Sequence, residues 1–172
     1  THKPVSIYCD QTGLLNLLAV SKLDNAQISE AIALLLKAES LIKGGPFTQE
    51  MLVNAYTQQA FSSLENNPSA AINSFEQAYA RSTTSQAACN LAFGLSEQAL
   101  LEAESSHFTK ALKLLAKAKK HCPKLDRINE ALGFTHLMQG EDYLRKGKFD
   151  QAKIDLRKVR KTWKPFAKRA SA

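Results

Sequence analysis

One three-residue signature recurs four times along the chain. Ala31, Leu35 and Ala38 return as Ala71, Phe75 and Ala78, then as Ala111, Leu115 and Ala118, and finally as Ala152, Leu156 and Val159. The order is small, large four residues on, then small three residues later, and successive copies start 40, 40 and 41 residues apart. Offsets of three and four place the three residues on one face of a helix. A small residue lets two helices approach closely, and the large one fills the hole beside the contact. A period of this length marks a repeated supersecondary unit, each copy burying its apolar face against its neighbour.

The rest of the chain fits helices alone. Glycine and proline are scarce, seven and five in 172 residues, and no segment shows period-two alternation. The breaks fall at Gly44-Gly45-Pro46, Asn66-Asn67-Pro68, Pro123 and Pro165. Asn67 before Pro68 reads as an N-cap with proline in the first turn, and Gly147 as the left-handed residue that ends a helix. These signals predict eight helices, near 11–23, 26–43, 48–65, 69–81, 86–104, 107–121, 126–146 and 149–163. They pair into hairpins over about 11–44, 48–82, 86–122 and 126–163, preceded by an extended lead-in over 1–10 (Val5-Ser6-Ile7-Tyr8) and followed by a basic tail over 164–172.

At this point the chain resembles the tetratricopeptide repeat (TPR) family. The last copy carries the most of it: Gly140, Tyr143, Gly147, Phe149, Ala152, Leu156, Val159 and Pro165. The third has Leu91, Ala92, Leu95, Phe108, Ala111, Leu115, Ala118 and Pro123, while the first two lack the turn glycine. The period departs from the 34 residues of the family. The resemblance covers about 11–165 and implies an all-α fold, a right-handed α-solenoid of about four antiparallel hairpins. A different helical-hairpin array, or a bundle of duplicated hairpins, is the alternative. The close approach at Ala118 implies that Ala118→Leu overpacks the contact, with Ala99→Leu, outside the signature, costing less.

Charge is unevenly spread. The formal net charge is +7, but residues 1–109 hold 5 basic and 10 acidic side chains, net −5, and residues 110–172 hold 18 and 6, net +12. Cys9, Cys89 and Cys122 form an odd set with no CxxC pair, which argues against a disulfide framework or a zinc module. Reduced thiols in the cytoplasm are therefore the expectation. The apolar run Leu14–Val20 is far short of the roughly 20 residues of a membrane span.

No phosphate loop, HExxH or Gly-x-Ser-x-Gly is present, and Glu102 and Glu104 face different sides of one helix. The expectation is a non-enzyme with no cofactor and no metal. The family resemblance implies instead a scaffold or adaptor holding a partner peptide or helix in a concave groove lined by the first helices. By register that groove takes Asn16, Thr57, Phe61, Cys89, Phe93, Glu97, Leu137, Glu141 and Arg145. Phe61 and Phe93 are either anchors there or, with the register one residue out, part of the core. The runner-up is a nucleic-acid or anionic-surface accessory using Lys158, Arg160, Lys161 and Lys164, and beside it a self-associating structural domain. The competing reading of the basic cluster is the solvated side of a terminal capping helix.

Overall fold

A computed structural model describes the backbone from Val5 to Arg169 and the side chains from Gln11 to Thr162. Among these residues there are eight α-helices and no strand: α1 (Val5–Asp24), α2 (Ile28–Leu41), α3 (Pro46–Ser63), α4 (Pro68–Arg81), α5 (Ser85–Glu104), α6 (Phe108–His121), α7 (Asp126–Arg145) and α8 (Phe149–Arg169). Six helices match the sequence expectation at both ends within two residues. The two outer ends do not. The lead-in expected to be extended is helical from Val5, because β-branched residues cost a helix only tenths of a kcal/mol each and a proline just ahead is compatible with a helix start. At the other end the expected tail from 164 continues α8 to Arg169. A proline there removes one hydrogen bond from the ladder, and the Lys, Ala and Arg around it are good helix formers.

Three of the four hairpin turns share one geometry. The N–H groups of Gln27, His107 and Lys148 each donate to the carbonyl five residues back (Lys22, Glu102, Tyr143) at 2.8 Å. The residue before each has positive φ: Ala26 at 58°, Ser106 at 61° and Gly147 at 69°. This is the Schellman ending, which satisfies carbonyls the helix would otherwise leave unpaired. Gly147 adopts it without steric cost, whereas Ala26 and Ser106 hold it at roughly 1 kcal/mol each. The repeat is thus more regular in backbone than in sequence. The α3–α4 turn differs: Asn67 caps α4 by accepting from the Ala70 N–H at 3.1 Å, with Pro68 at the first helical position.

The chain divides into two compact units, residues 1–87 and 88–172. In the first, α1 packs on α2, α2 on α3 and α3 on α4, and α1 also touches α3. Its core is Ala19, Ala31, Ile32, Leu35, Leu52 and Ala55. All six signature residues of this unit lie between 0% and 2% exposed. In the second unit α6 packs on α7 and α7 on α8. Ala111, Leu115, Ala118 and Ala152 are buried there, while Leu156 and Val159 are half-buried.

A second series of small residues lies on the first helices: Ala19, Ala60, Ala99 and Gly140, all buried. Ala99 is fully enclosed like Ala118, so the expected ranking of the two leucine substitutions has no basis; each is a close-approach position. At Gly140 the approach is close, since an added Cβ would stand 3.0 Å from Leu156 Cγ and Cδ2.

Candidate partner-binding surface

Asn16 does not line a groove. It is buried between α1 and α3, where its Nδ2 donates to Thr48 Oγ1 at 3.0 Å and the Thr48 hydroxyl lies 3.2 Å from Asn16 Oδ1. A buried amide needs such partners, and this pair holds two first helices side by side. On α3, Thr57 is half-buried and Phe61, one turn on, is 48% exposed. Phe61 keeps one edge inside: its ring meets Phe75 at 5.1 Å and 83°, an edge-to-face pair. The ring thus sits on the rim, one edge packed on the core and the rest open. Deeper in the unit Arg81 lies over the Tyr56 ring at 5.0 Å and reaches Glu39 at 3.8 Å.

In the second unit Cys89 is bonded to Cys122, with Cα atoms 4.9 Å apart and a sequence separation of 33. It is therefore no groove thiol, and two of the three cysteines are not reduced. The physical reason is the hairpin itself, whose antiparallel arms bring the start of α5 beside the end of α6. Glu97 is also engaged. It takes a two-pronged bond from Arg127 on α7, with Nη2 3.0 Å from Oε2, while Arg127 Nη1 reaches Glu130 at 3.0 Å. The Glu97 carboxylate, with Glu130, holds the guanidinium even more firmly protonated than usual, against the opposing effect of burial. Phe93 is half-buried on α5.

Leu137, Glu141 and Arg145 share one face of α7, at four-residue steps, running from half-buried to exposed. Arg145 is 69% exposed and stands 3.7 Å from Asp142, whose other oxygen takes Lys146 at 2.7 Å. Thr57 with Phe61, and Leu137 with Glu141 and Arg145, are the expected groove residues that the fold brings to a common face within each unit.

The basic cluster is divided. Lys158 bonds the buried Asp155 at 2.8 Å, so it is structural and not a free surface cation. Arg160 and Lys161 are exposed. The Lys164 side chain lies outside the described residues. Charge reversal at Lys158 would consequently strip a buried carboxylate of its partner.

Asp155 also faces His136, with Nδ1 3.2 Å from Oδ1 across the α7–α8 contact. Burial holds the imidazole pKa below its ordinary value; Lys158 pushes the same way and Asp155 opposes. The unfolded chain therefore takes up this proton first as pH falls. Stability should drop on acidification below about 6.5, with a slope of at most about 1.4 kcal/mol per pH unit for one proton. Urea melts of the wild type and of His136→Asn between pH 7 and 5 check this, and the variant should lose that part of the slope.

At the α5–α6 turn, Glu102 takes Lys110 at 2.6 Å and His107 at 3.0 Å. Lys110 above all, and then His107, hold its carboxyl below the usual range, with burial opposing. Neither this cluster nor His136–Asp155–Lys158 is visible as a motif, because the partners come from two helices.

These features define an all-α protein of paired antiparallel helices. No described helix is long and apolar enough to cross a membrane. Among known proteins, no family model matches the chain and no curated sequence matches it significantly.

Proposed function

We propose that the chain is a non-catalytic interaction module, a scaffold or adaptor built of stacked tetratricopeptide-like hairpins. The observation that carries this reading is the side-by-side placement of first helices. Asn16–Thr48 joins α1 to α3, and Glu97–Arg127 joins α5 to α7, while the second helix of the hairpin packs on the next first helix. Within each unit, hairpins stacked this way leave their two first helices as a shared surface for a peptide or helix. The titratable groups that could suggest chemistry are occupied in structural pairs, Glu102 with Lys110 and His107, and Asp155 with Lys158 and His136. On the first unit's surface Phe61 offers an apolar edge, and on the second unit's Arg145 offers a two-pronged donor to a carboxylate. The cytoplasmic location expected from unpaired thiols loses its ground; a Cys89–Cys122 bond fits an oxidising compartment.

The test is capture of partner proteins from an extract of the source cell by immobilised chain. Arg145→Glu and Phe61→Ala should each weaken capture about tenfold, a loss of roughly 1.4 kcal/mol. Gln77→Ala and Lys113→Ala, exposed on second helices, should leave it unchanged. If the second-helix changes release the partner and the first-helix changes do not, the reading is wrong.

A further inference from the structure

The first and last helices each leave open a face that their inner counterparts cover. Aligning the first helices on Ala19, Ala60 and Gly140 matches Leu14 with Ala55 and Thr135, both 0% exposed. These inner residues are on helices packed against a preceding second helix, α3 on α2 and α7 on α6. Leu14 itself is 59% exposed and Leu18, one turn on, 46%, where its counterparts Gln59 and Gln139 are half-buried. Leu17, 69% exposed, widens the apolar patch at a position that is open on α3 as well. At the other end, aligning second helices on Ala111 and Ala152 matches Phe149 with Phe108. Phe108 is 8% exposed and Phe149 69%. Beside Phe149 runs a shallow groove of about 490 Å³ lined by Leu144, Lys153, Leu156, Arg157 and Arg160.

Thus α1 shows the face by which α3 and α7 seat themselves, and α8 shows the face on which they are seated. Apolar patches left open on paired helices mark contact surfaces, and the described residues of α1 and α8 each carry one. We propose that the two faces bind each other between copies of this chain, α1 of one copy seating on α8 of the next, head to tail. The repeat supplies the shape match, since each face is a variant of a contact already made inside the molecule. Charge selects the orientation: net −5 over residues 1–109 and +12 over 110–172 make head-to-tail pairing attractive and tail-to-tail pairing repulsive. A contact between two different faces does not close on itself at two copies, so the association continues past the dimer, into a ring or an open chain. It stands independently of capture of any other partner.

Sedimentation equilibrium of the full chain from about 1 μM to about 0.5 mM tests it. The mean mass should rise with concentration past that of a dimer and fall again with added salt. Leu14→Glu and Phe149→Glu, each at an exposed position, should both be monomeric alone. Mixed one to one they should form a species of twice the chain mass and no larger, because one supplies an intact α8 face and the other an intact α1 face. Leu18→Glu and Arg157→Glu make a second pair, used if circular dichroism shows that either first variant is unfolded. A wild type that stays monomeric overturns the proposal. So does association that survives one of the single changes, or a mixture that stays monomeric.

Discussion

Phe75→Ala is expected to remove about 3–5 kcal/mol of stability from the first unit. The ring is 1% exposed and fills the large position of the second copy of the signature, between Ala71 and Ala78. Its loss leaves a cavity flanked by small residues that cannot collapse into it, and it strips Phe61 of its edge-to-face partner. The corresponding change in the last copy, Leu156→Ala, should cost clearly less, about 1–2 kcal/mol, because that side chain is only half-buried. Urea melts of the two variants at concentrations that keep the chain monomeric would check the ranking. A cycle with Phe61→Ala should show a coupling of about 0.5–1.5 kcal/mol between the rings. Equal costs at the two positions would mean that the outer face of α8 is covered within the chain, contrary to its exposure.

The elements that were legible from the residues are those set by local chemistry. Asn67 with Pro68 starts α4 and Gly147 ends α7, because a capping carbonyl, a missing N–H and a positive φ act within one turn of chain. The signature was legible for a related reason, since its spacing encodes which face of each second helix goes inward. The matching series on the first helices, Ala19, Ala60, Ala99 and Gly140, was harder to see because single small residues are common and only its recurrence is informative. Ala26 and Ser106 hid the shared turn, since nothing about an alanine or a serine announces a left-handed backbone. The two ends depart from expectation for different reasons: Val5-Ser6-Ile7-Tyr8 has a β-rich composition yet is helical, and Pro165 interrupts only one hydrogen bond of α8.

The surface was less legible, and the reason is that its groups are partnered across helices. Asn16 looks like a polar residue facing solvent until Thr48, 32 residues away, is brought to its side chain. Glu97 looks like a groove carboxylate until Arg127 arrives from α7. Lys158 belongs to a dense run of cations, yet it alone of the described ones in that run is bonded to a buried carboxylate. In each case a one-residue error in helical register, about 100° of rotation, separates a seam between helices from an open face. The disulfide, by contrast, could have been found. Cys89 lies 17 residues before Ser106 and Cys122 lies 16 after it, so an antiparallel hairpin turning at that serine sets the two opposite each other. The lack of a CxxC pair bears on metal and redox motifs, not on a bond across the open end of a hairpin.

Replacing Cys89 and Cys122 together with serine is expected to cost the second unit about 3–4 kcal/mol, the loop-closure entropy of a crosslink spanning 33 residues. The bond ties the start of α5 to the residue that follows α6, so without it the unfolded chain regains the freedom of the entire hairpin. The Glu102–Lys110 pair and the Schellman turn remain at the closed end of that hairpin, and the loss should be felt at the open end. Hydrogen exchange should accordingly quicken first near residues 89–93 and 118–122, and only later near the turn at 105–107. Wild-type chain melted with a reducing agent should match the double variant, and the agent should leave the variant unmoved. Before reduction, alkylation followed by mass analysis should leave Cys89 and Cys122 unmodified. If instead both are alkylated in chain taken directly from its source, the protein works in a reducing compartment, and the hairpin holds its 4.9 Å approach through helix packing alone.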